Sequence, residues 1–130
     1  MVNQERHILF LNASRTLVQY FPEMYNARRL QGTFSNSYMV ESVENIALLQ
    51  PDIILIDIEQ EDQTGVWNRI QQLKTNGATA SIPMLVCKGP QQTLPWPENF
   101  LYSQGIWLIS KPFTRNEILG AISRIPLVRR

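Results

Sequence analysis

Pro51-Asp52-Ile53-Ile54-Leu55-Ile56-Asp57 is an apolar run that opens on a proline and closes on a carboxylate. Consecutive branched aliphatic residues with no polar alternation read as a strand covered on both faces, the usual condition of a strand in a parallel sheet. A second run, Ile106-Trp107-Leu108-Ile109, ends just before Lys111-Pro112-Phe113. If both are parallel strands of one sheet, their C-terminal ends bring Asp57 and Lys111 to the same edge, where open α/β folds keep their chemistry.

Outward from these two runs, short apolar stretches alternate with segments of helical period, which reads as a βαβ series. The first strand is His7 to Leu11, followed by a helix capped at Ser14 with Leu17, Tyr20, Phe21 and Met24 on one face and a kink at Pro22. The second strand falls within Arg29 to Phe34. Ser35 or Asn36 then caps a helix whose buried stripe is Val40, Val43, Ile46, Ala47 and Leu49, stopped by Pro51. After the third strand, Gly65 ends a polar loop, and Val66, Ile70 and Leu73 mark a helix closed by Asn76-Gly77. The fourth strand is Ile82 to Cys87. Three prolines, Pro90, Pro95 and Pro97, make the following stretch an irregular loop ahead of a short helix around Glu98 to Ser103. The fifth strand is Ile106 to Ser110, and Thr114 with Glu117 has capping-box spacing for a last helix carrying Ile118, Ala121, Ile122 and Ile125.

The chain of 130 residues is long enough for one core and is expected to be a single domain over its whole length, with no output domain after Pro126. Twelve basic and eleven acidic residues leave a formal net charge of +1, which argues against a nucleic-acid or anionic-membrane binder. The lone Cys87 forms no internal disulfide, no apolar stretch approaches a membrane span, and the N-terminus has no signal-peptide core. A cytoplasmic, non-enzymatic protein is expected.

The Pro51-to-Asp57 run, Gly65 eight positions later, Ile82-Pro83 opening the fourth strand, and Lys111-Pro112-Phe113 before a capped final helix together resemble the CheY-like receiver domain of bacterial two-component response regulators. The resemblance covers essentially the whole chain. It implies a flavodoxin-like (βα)5 doubly wound sandwich, with a five-stranded parallel sheet in the order 2-1-3-4-5. It also implies Asp57 as acceptor of a phosphoryl group from a histidine kinase or phosphotransfer protein, and Lys111 as the cation that neutralises the acceptor and holds the phosphate. A carboxylate attacking a negatively charged phosphorus centre is opposed by like charge, so positioned cations are what the chemistry requires.

Two features, at three positions, depart from the family pattern. The acidic pair that holds a divalent metal after the first strand is replaced by Asn12 and Ala13, and the hydroxyl after the fourth strand is replaced by Lys88. An amide and a methyl group are poor substitutes for charged hard-cation ligands. A Mg²⁺ that clamps the transferring group supplies several kcal/mol, so its loss would slow the reaction by on the order of a thousandfold. Lys88 is a candidate compensating cation, and Asp57 with Glu59 or Asp62 a candidate source of metal oxygens.

Bland readings stand beside these. Asp57 could serve only as a strand-end ion-pair partner of Lys111; Cys87 reads as a small buried strand residue and His7 as a surface residue. Trp96, Phe100, Tyr102 and Trp107 concentrate rings near the fifth strand, and Leu108 stands where many receivers carry a switching aromatic. They mark an interaction or homodimer surface, or else roof the sheet. Three functions follow: a phosphoacceptor receiver using Mg²⁺; a pseudo-receiver interaction module that takes neither phosphate nor metal; and a flavin or nucleotide binder holding phosphate at Ser14 and Thr16.

Overall fold

A computed structural model describes residues 6–11, 30–35, 42–58, 63–90 and 92–126. Five strands, β1 (Arg6–Leu11), β2 (Leu30–Ser35), β3 (Ile53–Asp57), β4 (Met84–Lys88) and β5 (Ile106–Ser110), form one sheet in the order β2-β1-β3-β4-β5. Every neighbouring pair is parallel. The described helices are α1 (Val43–Leu49), α2 (Gln63–Thr75), α3 (Glu98–Ser103) and α4 (Arg115–Arg124).

The middles of β1, β3 and β4 are apolar because both faces of the sheet are covered there, and the two-residue period of a strand sorts their side chains into two cores. Leu9, Leu11, Ile54, Ile56, Met84 and Val86 meet Ile46 of α1, Val66, Trp67, Ile70 and Leu73 of α2, and Leu101 of α3. Ile8, Phe10, Ile53, Leu55, Leu85 and Cys87 turn the other way, onto Ile118, Leu119, Ala121 and Ile122 of α4. Arg6 fastens the second layer by donating to the carbonyls of Ile122 and Ile125, both at 2.8 Å, at the end of α4.

The capping box of α4 forms in both directions: Glu117 N donates to Thr114 Oγ1 at 3.1 Å and Thr114 N to Glu117 Oε1 at 2.8 Å. Gly105 joins α3 to β5 at φ +76°, a left-handed conformation that favours glycine, and its carbonyl receives Met84 N at 2.9 Å. Lys74, at the end of α2, donates to the carbonyls of Ala80 and Ile82 at 3.2 and 2.7 Å, tying the α2–β4 turn to the helix.

Several local expectations need correction. Ser35 ends β2 instead of capping a helix; Ser42 caps α1 through Asn45 N at 3.0 Å. Ile46 is the buried residue of α1, while Leu49 is 38% exposed, because α1 stops within two turns and its last residue reaches past the core edge. Gly65 lies inside α2, where packing of Val66 and Trp67 overrides its weak helix propensity. β4 begins at Met84 and includes Lys88, two residues later than Ile82. His7 is a half-buried β1 residue whose N–H donates to Asp52 Oδ2 at 2.8 Å. The helix expected after β1, with Ser14 and Thr16, and the positions Asn36 and Val40 lie outside the described residues.

Candidate functional site

Register fixes which residues share the C-terminal edge. Leu11 pairs with Ile56, Asp57 with Cys87, and Lys88 with Ser110, so β1, β3, β4 and β5 all end there. The chain continues from β5 into Lys111, whose N–H donates to Lys88 O at 2.7 Å and prolongs the β4–β5 ladder by one step. From this position the Lys111 side chain reaches over β4 to β3. Its Nζ lies 2.6 Å from Asp57 Oδ1 and 3.1 Å from Ile58 O. The Lys111–Pro112 peptide is cis.

The two partners are unequally sheltered, the Asp57 side chain being 4% exposed and that of Lys111 31%. A carboxylate so far out of water is tolerable only when a charge-assisted bond offsets its desolvation, and the short contact to Lys111 does so. Cys87, in register with Asp57, is fully buried, and burial, with the neighbouring Asp57 charge, holds its thiol far above the usual thiol range; Lys111 partly opposes the rise. It is therefore a neutral spacer behind the carboxylate and no nucleophile. Lys88 is half-buried at the end of β4.

Gln92 was not legible as a site residue. It is only 8% exposed, and its Nε2 donates to Ile58 O at 3.0 Å while its Oε1 accepts from Gly89 N at 2.6 Å. Ile58 O thus receives both Lys111 and Gln92. A glutamine between prolines looks like solvated loop in sequence, and no local pattern marks it as buried.

Among the described residues the donor set does not suit a tightly held Mg²⁺. That ion demands near-octahedral oxygen ligation, with carboxylate charge close by. Oδ1 of Asp57 is engaged by an ammonium, the residues following Leu11 are an amide and a methyl group, and among the described residues no three His, Cys, Asp or Glu side chains gather as a metal cluster. Asn12, Ala13, Glu59 and Asp62 themselves lie outside the described residues.

The rings near β5 do not make one patch. Trp96 packs with Leu108 against the α1–α3 side of the sheet, stacked edge-on to Trp67 (centroids 6.3 Å apart) and beside Phe100 (6.1 Å). Trp107 packs on the α4 side and meets Tyr102 at 5.8 Å. The alternation of β5 sends neighbours to opposite faces, which separates Trp107 from Leu108. Phe100 and Tyr102 remain 45% and 44% exposed.

No protein-family profile matches the sequence, and no curated protein is significantly similar to it. Solved structures are. The N-terminal domain of a response regulator receiver protein from Methanoculleus marisnigri is 29% identical at TM-score 0.63, covering 96% of this chain and 98% of that one. Chemotaxis protein CheY4 of Vibrio cholerae aligns at TM-score 0.70 with 15% identity, over 95% and 100% of the two chains. The receiver domain of a Pseudomonas aeruginosa sensor histidine kinase, which has magnesium coordinated in its active-site cleft, aligns at 0.67 with 15% identity over 94% and 98%. No described helix is long and apolar enough to cross a membrane. With its strand order, its two helical layers and the acid and lysine at the ends of β3 and β5, the chain has the CheY-like response-regulator receiver fold.

Proposed function

We propose that this chain is a receiver domain in two-component phosphorelay signalling, with Asp57 as phosphoacceptor and output through protein contacts. The observation that supports this most is the 2.6 Å contact between Lys111 Nζ and a nearly buried Asp57 at the sheet edge. In the proposed step a carboxylate oxygen of Asp57 forms a bond to phosphorus as the bond from phosphorus to a donor histidine nitrogen, or to an acyl oxygen, breaks. The leaving group keeps the electron pair; a histidine nitrogen then takes up a proton from solvent, whereas an acyl oxygen leaves as a carboxylate. Lys111 reduces the like-charge repulsion on approach and then holds the added oxygens. Lys88, at the end of the neighbouring strand, supplies further positive charge. The donors and acceptors of the phosphoryl group are a histidine kinase or a phosphotransfer protein.

A second reading, the pseudo-receiver that works by docking alone, is favoured by Asn12 and Ala13 in place of carboxylates. One experiment separates the two. The protein is incubated with acetyl phosphate, with and without Mg²⁺, and weighed intact by mass spectrometry. Gain of one phosphoryl group, lost in Asp57→Ala, supports the acceptor; an unchanged mass under both conditions leaves the docking module.

A further inference from the structure

Thr64, Trp67, Asn68 and Gln71 of α2 follow the i, i+3, i+4, i+7 spacing that puts them on one face of the helix. Across from them the loop ahead of α3 supplies Thr93, Pro95 and Trp96, and the two walls enclose a groove of about 310 Å³. Among the described residues, none that lines it is charged. Its floor is Trp67, 6% exposed, whose Nε1 is buried with no hydrogen-bond partner; Trp96 is half-buried and meets Trp67 edge-on at 6.3 Å. Buried indole N–H groups usually find a partner, so an orphan in the wall of a groove marks a missing acceptor. We propose that this groove binds an uncharged, proline-rich segment of a partner protein, with the Trp67 indole donating to one of its carbonyls and Trp96 and Pro95 packing on its rings.

The occupant follows from size and chemistry. A lining without charge gives a phosphate or an acidic peptide nothing to pair with. From Thr64 to Gln71 the helix climbs roughly 10 Å, and one polyproline II turn of three residues spans roughly 9 Å. A partner helix, about 10–12 Å across with its side chains, is too wide for so small a groove. A polyproline II segment has no internal hydrogen bonds, so its carbonyls are free to accept, and its preformed shape loses little entropy on binding to an aromatic-lined groove. The exposed amides of Asn68 and Gln71 supply further donors along the rim. The incoming segment turns Trp96 outward, which brings a carbonyl within reach of the Trp67 indole. Any part this contact plays in signal output rests on the receiver reading, whereas the contact itself needs no phosphoryl group.

The chain has three tryptophans, and their indole N–H resonances follow binding separately. Titration of the unmodified protein with a blocked hexaproline peptide is expected to shift the Trp67 and Trp96 signals saturably and to leave Trp107, on the other side of the sheet, in place. A blocked Gly-Ser peptide of the same length binds at least about tenfold more weakly, lacking both rings and preformed shape. Trp67→Phe keeps an aromatic ring without the N–H and weakens binding roughly five- to tenfold, the worth of one hydrogen bond. Asn68→Arg, at an exposed position of α2, fills the groove without touching the core, weakens binding more than about tenfold, and serves alone if the phenylalanine variant does not fold. No saturable shift at millimolar hexaproline, equal affinity for the Gly-Ser peptide, or full affinity in Asn68→Arg overturns the proposal. So does a single blocked proline that binds as tightly as the hexamer, which would make the groove a site for a small neutral amide. A chain that gains no mass from acetyl phosphate yet binds hexaproline loses the phosphorelay reading and keeps this one.

Discussion

Lys111 Nζ and Asp57 Oδ1 are 2.6 Å apart, but the carboxylate is 4% exposed and the lysine 31%. The pair is therefore asymmetric towards mutation. Lys111→Met strands a buried carboxylate, for which loss of a fully buried partner costs about 3–5 kcal/mol; the solvent that reaches the lysine end reduces this to about 2–3 kcal/mol. Asp57→Asn leaves an ammonium that can turn to water and costs about 1 kcal/mol or less. Urea denaturation at neutral pH measures both, and equal losses would show that the two ends are equally sheltered.

Leu11 is in register with Ile56, so the chain leaves β1 beside the end of β3. Carboxylates placed immediately after Leu11 would add two charged oxygen donors to the chain that follows β1. The double variant Asn12→Asp, Ala13→Asp is expected to bind Mg²⁺ in a calorimetric titration that shows no binding heat for the natural sequence. Binding by the natural sequence would mean that oxygen donors from another part of the chain complete the site.

The Pro51-to-Asp57 run was legible because burial on both faces removes polar alternation, the half-buried edge strand β5 kept an apolar run of its own, and a parallel sheet then sends both C-termini to one edge. The box at Thr114 was legible for a different reason: its chemistry is local, two side chains and two amides within four residues. What the sequence hid is non-local. Gln92 is buried by contacts 34 positions away, and Trp107 and Leu108, adjacent in the chain, are parted by the alternation of β5. The start of α1 was misplaced because Ser35, Asn36 and Ser42 are all competent caps, and strand pairing decides that Ser35 belongs to β2.

Lys74 gives the stability a defined pH dependence. Burial lowers its pKa from 10.5 to about 8 in the folded protein. Between those values the unfolded chain binds more protons than the folded one, so stability rises as pH increases from about 8 towards 10.5 and levels off above. Because the side chain is only half-buried, solvent screening keeps the gain small. Denaturation midpoints across this range should climb in the natural protein, and Lys74→Met should remove that part of the climb.

The capping box of α4 carries the helix that covers the second core, whose Ile118, Leu119, Ala121 and Ile122 close over Phe10, Leu55 and Cys87. Thr114→Ala removes the acceptor for Glu117 N and leaves an unpaired amide at the start of the helix. A loss of about 1 kcal/mol is expected, and Thr114→Ser should restore most of it because the hydroxyl is retained. Since α4 begins four residues after Lys111, fraying of its first turn also loosens the segment that aims the lysine at Asp57. Thr114→Ala should therefore speed exchange of the Lys111 amide, which donates to Lys88 O, more than that of the Ile58 amide, which donates to Cys87 O. Equal acceleration of the two would place the effect in global stability and not in the edge that holds the site.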